Sequence, residues 1–237
     1  MTTPDTTGTA EHLPCKVNPR LGQAAGGHPL PGEEPPERNT AALGAAPRTP
    51  VLAVAGGTAS GKSSLARALA LHRPGAVGLI HLDDFYVPAH DPQRGIRTLS
   101  ATGAETLDWN HPGSIDEEAA AAAVDTAVTS GNHQMVLVEG LFALILPKVA
   151  VRATWRVYVD TPDDVRLARK LLRKIETQHQ DPRISLRNYL LTGRERHAEH
   201  VAPSRYLADL VLDGTMPTEH LLTAVEDLVG AHLSPAA

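Results

Sequence analysis

An apolar run, Val51-Leu52-Ala53-Val54-Ala55, leads directly into Gly56-Gly57-Thr58-Ala59-Ser60-Gly61-Lys62-Ser63-Ser64, and a helix-like stretch, Ser63 to His72, follows. Gly56, Gly61, Lys62 and Ser63 fill the fixed positions of the phosphate-binding pattern G-x-x-x-x-G-K-[ST], in the strand, loop and helix context that the pattern needs. Glycines permit φ > 0 and a close approach of backbone to ligand, so consecutive N–H groups can point inward as an anion nest. The helix starting near Gly61 adds the positive end of its dipole. Lys62 is then expected to reach the β and γ phosphates, and the Ser63 hydroxyl to coordinate the accompanying magnesium ion. Ser64 is expected to satisfy local backbone groups. The segment Gly56 to Ser64 is read as a nucleoside triphosphate loop.

The pattern beyond the loop is an alternation. Short β-rich runs fall at Val51 to Ala55, Val77 to Leu82, Met135 to Val138, Trp155 to Val159 and Leu210 to Leu212. Helical periodicity occupies Ser63 to His72, Asp116 to Thr129, Pro162 to about Thr177, Ile184 to Val201 and Thr218 to His232. Such alternation predicts an α/β fold, a parallel five-stranded sheet covered by helices on both faces. Thr161-Pro162-Asp163-Asp164 reads as a helix start: a capping hydroxyl, proline at the first helical position, then two carboxylates at the positive dipole end. Ser114 or Asp116 is expected to cap the alanine-rich helix.

Residues 1–48 carry eight prolines among Gly, Thr and Glu without apolar periodicity, and are expected to be a disordered leader ahead of one domain at 49–237. The single cysteine, Cys15, lies in that leader, which excludes a disulfide framework or a cysteine metal site and agrees with a reducing cytoplasm. A net charge of -5 gives no field for nonspecific nucleic-acid or membrane binding. The longest apolar stretch contains Glu139 and breaks at Pro147 and Lys148, short of the ~20 residues that span a bilayer. His197 and His200 stand i, i+3 on a predicted helix without a companion carboxylate motif, and are read as packing or surface residues rather than metal ligands.

Two carboxylate positions accompany the loop. Leu79 to Pro88 reads LIHLDDFYVP, placing Asp83 and Asp84 at the end of the second strand, where ligands bind in doubly wound sheets. Carboxylates there can hold magnesium, or orient an acceptor hydroxyl and take its proton. Val136 to Leu141 reads VLVEGL and sets Glu139 at the end of a buried strand, where a carboxylate needs a partner such as Lys62 or a metal-bound water.

Taken in order, GGTASGKSSLARAL, LDDFY, WNHPGSID, VLVEGLFAL, VYVDTPDDVRLARKLLRK and HVAPSRYLADLVL resemble the uridine kinase and phosphoribulokinase group of P-loop kinases, uridine kinases most closely. The resemblance covers essentially the whole chain after residue 50. It implies a P-loop NTPase-type three-layer sandwich with a helical lid at about 166–190, and a kinase using ATP and magnesium on a small-molecule acceptor. By resemblance Asp83 is the base facing the acceptor hydroxyl, and Glu139 and Ser63 are metal-associated. Lys62, Lys170 and Arg173 contact the transferring phosphate, while Tyr86, Asn110, His111 and Arg169 lie on the acceptor side. Members of the group are often oligomeric, so a homo-oligomer is left open.

Three departures bear on the acceptor. Asn110 precedes His111-Pro112 where the family has a ribose-gripping aspartate, and Asp108 is a candidate substitute. Gln178, His179 and Gln180 stand where the family's lid carries Arg-Gly-Arg, leaving Arg183 or Arg187 as candidate replacements. Asp116 to Gln134 reads as one helix and a turn, with no room for the family's base-reading β-hairpin. Pyrimidine recognition thereby loses its usual residues, and a site without polar partners for a base rejects analogues weakly. The stretch VLDGTMPTEHLLTAVEDLV also resembles nicotinamide riboside kinases. A nucleoside kinase is therefore the first expectation. A kinase for nicotinamide riboside or another non-pyrimidine metabolite, or a nucleotide-binding regulator with weak or no transfer, stands beside it.

Overall fold

Val51 to Gly56 is buried at every residue, as an apolar run without polar alternation demands of a central parallel strand covered on both faces. The computed structural model describes residues 48–179 and 181–230. All but the last residue of the expected leader, with Cys15, lies outside them, as does Gln180. In chain order the elements are β1 (Val51–Gly56), α1 (Lys62–His72), β2 (Val77–His81), β3 (Arg97–Leu99), β4 (Glu105–Leu107), α2 (Glu117–Thr129), β5 (Met135–Glu139) and α3 (Pro147–Ala150). They continue with β6 (Trp155–Asp160), α4 (Asp163–Glu176), α5 (Pro182–Asn188), α6 (Arg194–Arg196), β7 (Leu210–Asp213) and α7 (Thr218–Val229).

The five long strands form one parallel sheet in the order β2-β5-β1-β6-β7. The expected α/β fold is present, each sheet strand within a residue or so of its predicted bounds. Successive residues of β1 point to opposite faces. Leu52 and Val54 join Leu65 and Leu69 of α1 and Leu221 and Val225 of α7. Val51, Ala53 and Ala55 join Ala120 and Val124 of α2 together with Phe142, Leu144 and Val149. Two cores thus sandwich the sheet. Phe142, 1% exposed, sits just past β5 and anchors the segment that presents Glu139. Phe142→Ala is expected to lower the unfolding free energy by about 3–5 kcal/mol, measured by urea titration.

Several local expectations change in three dimensions. Thr161 does not cap α4: the N-cap is Pro162, without a side-chain cap bond, and the Thr161 hydroxyl donates instead to the Ser60 carbonyl. A buried carbonyl in the glycine loop is a partner that no local pattern reveals. Asp116 does cap α2, accepting from the Ala119 N–H. The single helix expected over Ile184 to Val201 is a continuous helical run from Pro182, but π turns at Tyr189–Gly193 and His197–Val201 interrupt its α winding. The hairpin β3–β4 was not expected. Its three-residue strands are too short for a periodic signal, and the Gly103 turn, at φ 78°, is the one cue. The Ala101 N–H donates to Asn188 Oδ1, tying this hairpin to α5. Between α2 and β5 the described chain makes only a turn.

Candidate active site

The carboxyl ends of the sheet strands converge on the glycine loop, as ligand sites in doubly wound sheets require. A Cβ on Gly56 would come 2.6 Å from the Val159 carbonyl oxygen, which excludes a side chain there, and one on Gly57 would come 2.5 Å from Arg166 Nη1 and require the guanidinium to move. Gly61 (φ 106°) and Ala59 (φ 62°) take the left-handed conformations that curl the loop. Helix α1 starts with neither a capping side chain nor an acidic residue in its first turn. Its leading N–H groups therefore have no competing side-chain acceptor there and suit an anion. The Thr161 hydroxyl clamps the loop from beneath at 2.9 Å, and the Ser60 hydroxyl is buried without a partner.

Three expected residues meet here. Lys62 is 8% exposed, with Nζ 3.9 Å from Glu139 Oε2. Glu139 is buried at the end of β5; Oε1 lies 2.7 Å from His81 Nδ1, while Oε2 has no hydrogen-bond partner. Asp83 is the second residue of the 3-10 turn Leu82–Phe85 that follows β2. Although Asp83 is exposed, the protein around its carboxyl raises its pKa by desolvation; the Lys62 charge opposes this and Glu139 and Asp84 add to it. Ser63 is the second residue of α1, half-buried, and Ser64 is exposed. A magnesium ion fits this set: the hard oxygens of Ser63 and the orphaned Glu139 Oε2 are of the kind that bind it directly or through water beside phosphates.

The segments expected on the acceptor side are held together by backbone pairing. The Asp116 N–H donates to the Phe85 carbonyl, and the Val87 N–H to the Ser114 carbonyl, so the segment carrying Asp83 is stitched to the segment carrying His111. The Tyr86 hydroxyl donates to the Trp109 carbonyl at 2.5 Å, and the two rings meet edge to face at 5.0 Å. Burial, then the Asp83 and Asp108 charges, push the Tyr86 pKa far up and keep it a donor. Asp108 does not offer its carboxylate to an acceptor: it is buried, taking the Asn110 N–H at 3.0 Å and Arg196 Nε at 2.9 Å. The latter bond joins the loop before the His111-Pro112 segment to α6. His111 accepts from the Gly113 N–H through Nδ1 and lies edge-on to His200.

On α4, where the lid is expected, Arg166 is the residue that sequence reasoning missed. It is buried, stands against Gly57, and donates from Nε to the Thr161 carbonyl. Its spacing of four from Lys170 was the available signal. Thr58, Asn110, Arg166, Lys170, Tyr189 and His197 all line one cavity of about 30 Å³, where the glycine loop, the Asn110 segment, α4 and the helical run after α5 meet. Burial, then the Lys174, Arg173 and Arg166 charges, lower the Lys170 pKa, so an anion entering there relieves repulsion. Arg173 is exposed further along α4. Arg169 donates from Nη1 to the Gly214 carbonyl, beyond β7. Gly214 and Asp83 thus follow the two opposite edge strands of the sheet, and the contact made by Arg169 is not on the acceptor side. Arg183 is engaged at the surface by Asp181.

His197 reports on the cavity wall. Burial, then the Arg166 charge, hold its pKa down to about 4 from an ordinary 6.5, against the opposing pull of Asp163 and Asp160. The unfolded chain therefore binds the extra proton between those values, and stability present above pH 6.5 is lost as pH falls toward 4. Because the ring keeps some solvent contact, the loss is set at about 2 kcal/mol, below what the full shift implies. His197→Gln is expected to flatten this limb in urea titrations at pH 7 and pH 5.

A uridine kinase of Chloroflexus aurantiacus is 30% identical over 190 residues, spanning 69% of this chain and 86% of the relative. The chain belongs to the phosphoribulokinase / uridine kinase family. The model of that family matches residues 110–221. A uridine kinase of Listeria monocytogenes serotype 4a is 23% identical over 77% of this chain and 97% of its own length. A solved protein of Silicibacter sp. TM1040, provisionally described as a fructose transport system kinase, superposes with a TM-score of 0.51 at 16% identity, covering 72% of this chain and 92% of the other. It shares the fold. This member of the phosphoribulokinase / uridine kinase family is an ATP-dependent P-loop kinase. No helix among its described residues is long and apolar enough to cross a membrane.

Proposed function

We propose that the chain transfers the γ-phosphoryl group of ATP, as its magnesium complex, to the primary hydroxyl of a small acceptor, a nucleoside. The observation that carries this reading is the convergence of Lys62, Glu139 and Asp83 at the lip of the glycine loop. Loop amides and Lys62 hold the triphosphate. Ser63 and Glu139 would hold magnesium, which would supply positive charge against the triphosphate. The acceptor oxygen attacks the γ phosphorus as its proton passes to an Asp83 carboxylate oxygen and the bond to the β-bridging oxygen breaks, releasing ADP. Arg166 and Lys170 cover the charge spread over the transferring group, with Arg173 joining as the lid settles. Asn110, His111 and Tyr86 frame the acceptor. Arg169, bonded beside β7, serves the nucleotide side.

A second reading concerns the acceptor. The described chain has no strand between α2 and β5, and its own hairpin lies before the Asn110-His111-Pro112 segment, which favours a riboside with a base other than a pyrimidine. Magnesium-dependent ADP release is the test, against uridine, cytidine, nicotinamide riboside, other ribosides and non-nucleoside alcohols, with Asp83→Asn as control. Release confined to uridine and cytidine removes the second reading. ATP binding without release for any acceptor removes both.

A further inference from the structure

His81 and Glu139 are register partners on the adjacent parallel strands β2 and β5. Both continue the alternation that turns Val77, Leu79, Met135 and Leu137 toward the core beneath α1, so their side chains leave the sheet on the same face. That face is the one over which α1 begins with Lys62. A carboxylate held by neither oxygen turns freely about its last bond. Here Oε1 sits 2.7 Å from the imidazole Nδ1, while the buried Oε2 lacks a hydrogen-bond partner and lies 3.9 Å from Lys62 Nζ.

We propose that His81 is a positioning residue: its Nδ1–H holds Glu139 Oε1, and so commits Oε2 to Lys62 and the divalent cation that accompanies the phosphates. Groups that orient a metal-associated carboxylate in this way typically change metal affinity by about 10-fold to 100-fold when removed. The ring need touch neither phosphate nor acceptor. The inference rests on the kinase reading for the identity of the cation, not for the hydrogen bond itself.

The test compares ATP binding in excess magnesium and in chelator for wild type, His81→Phe and His81→Asn. Phenylalanine keeps a ring and removes the donor; asparagine places an N–H near the position of Nδ1. His81→Phe is expected to lose about 10-fold of the magnesium-dependent gain in ATP affinity, and to need correspondingly more magnesium for half-maximal turnover, with kcat recovering at saturation. His81→Asn is expected to restore most of the gain. Should His81→Phe fail to fold by thermal melt, His81→Ala removes the donor with loss of volume alone and carries the same comparison. A wild-type magnesium gain in the donor-free variant overturns the inference, as does an equal loss in His81→Asn, which would make the ring a packing element only. A wild-type protein that binds magnesium-ATP with the full gain but phosphorylates no acceptor defeats the kinase reading, while the binding comparison still decides the role of His81.

Discussion

Asp83→Asn is expected to lower kcat by roughly 10²–10⁴-fold and to leave ATP affinity near wild type. The amide keeps the shape of the side chain and its place in the turn after β2, but cannot take the acceptor proton. The raised pKa of Asp83 gives the reaction a second signature. Because the base must be ionised, the acid limb of kcat/KM is expected to fall at a pH above the ordinary carboxylate range, and Asp83→Asn should erase it. The same desolvation makes an ionised Asp83 a burden on the fold at neutral pH, so the variant should melt no lower than wild type. Near-normal turnover in Asp83→Asn would sink the assignment of the base.

Lys62→Ala is the companion experiment, and its expected loss of turnover is on the order of 10²–10³-fold or more, because a charge aimed at the transferring phosphates is removed from a water-poor site. Here the structural penalty is real. Glu139 is buried with Oε2 already lacking a hydrogen bond, and deleting Lys62 removes the nearby positive charge. A destabilisation of about 1–3 kcal/mol is expected from leaving that group uncompensated, readable by urea titration. The double variant Lys62→Ala with Glu139→Gln should recover part of this stability and none of the activity. Retention of more than about a tenth of wild-type turnover in the single variant would contradict the phosphate role given to this lysine.

Much of the fold was legible because parallel strands covered on both faces are written as apolar runs: β1 and β5 up to Glu139 are such runs, and β6 departs from the pattern only at Arg156 and at its last residue, Asp160. The helices between them carry their own periodicity, and Asp116 its own cap. The failures share a cause. Thr161 looked like a helix cap because hydroxyl, proline and carboxylates sat in the right local order, yet its hydroxyl bonds the Ser60 carbonyl, a partner 101 residues distant. Asp108 looked free to grip an acceptor and is instead locked to Arg196. Arg169 was grouped with Lys170 and Arg173 on one helix, yet it reaches the Gly214 carbonyl, while Arg166, which no local pattern singled out, is the one that packs against Gly57. Strands β3 and β4, three residues each, are too brief for any period to register.

The amino-acid sequence by itself determined the phosphate loop, the order of strands and helices along the chain, and the carboxylates at the ends of β2 and β5, because each is encoded by neighbours in the chain: glycines at fixed intervals, apolar runs, a charged residue where a run stops. Tertiary structure alone decided which of several arginines packs against the glycine loop, that His81 holds Glu139, and that Asp108 is bound to Arg196 of α6. Those outcomes depend on strand order, register and the path of the chain after β6. They join residues 58 and 88 positions apart in the last two cases, and no local pattern specifies a partner at that distance.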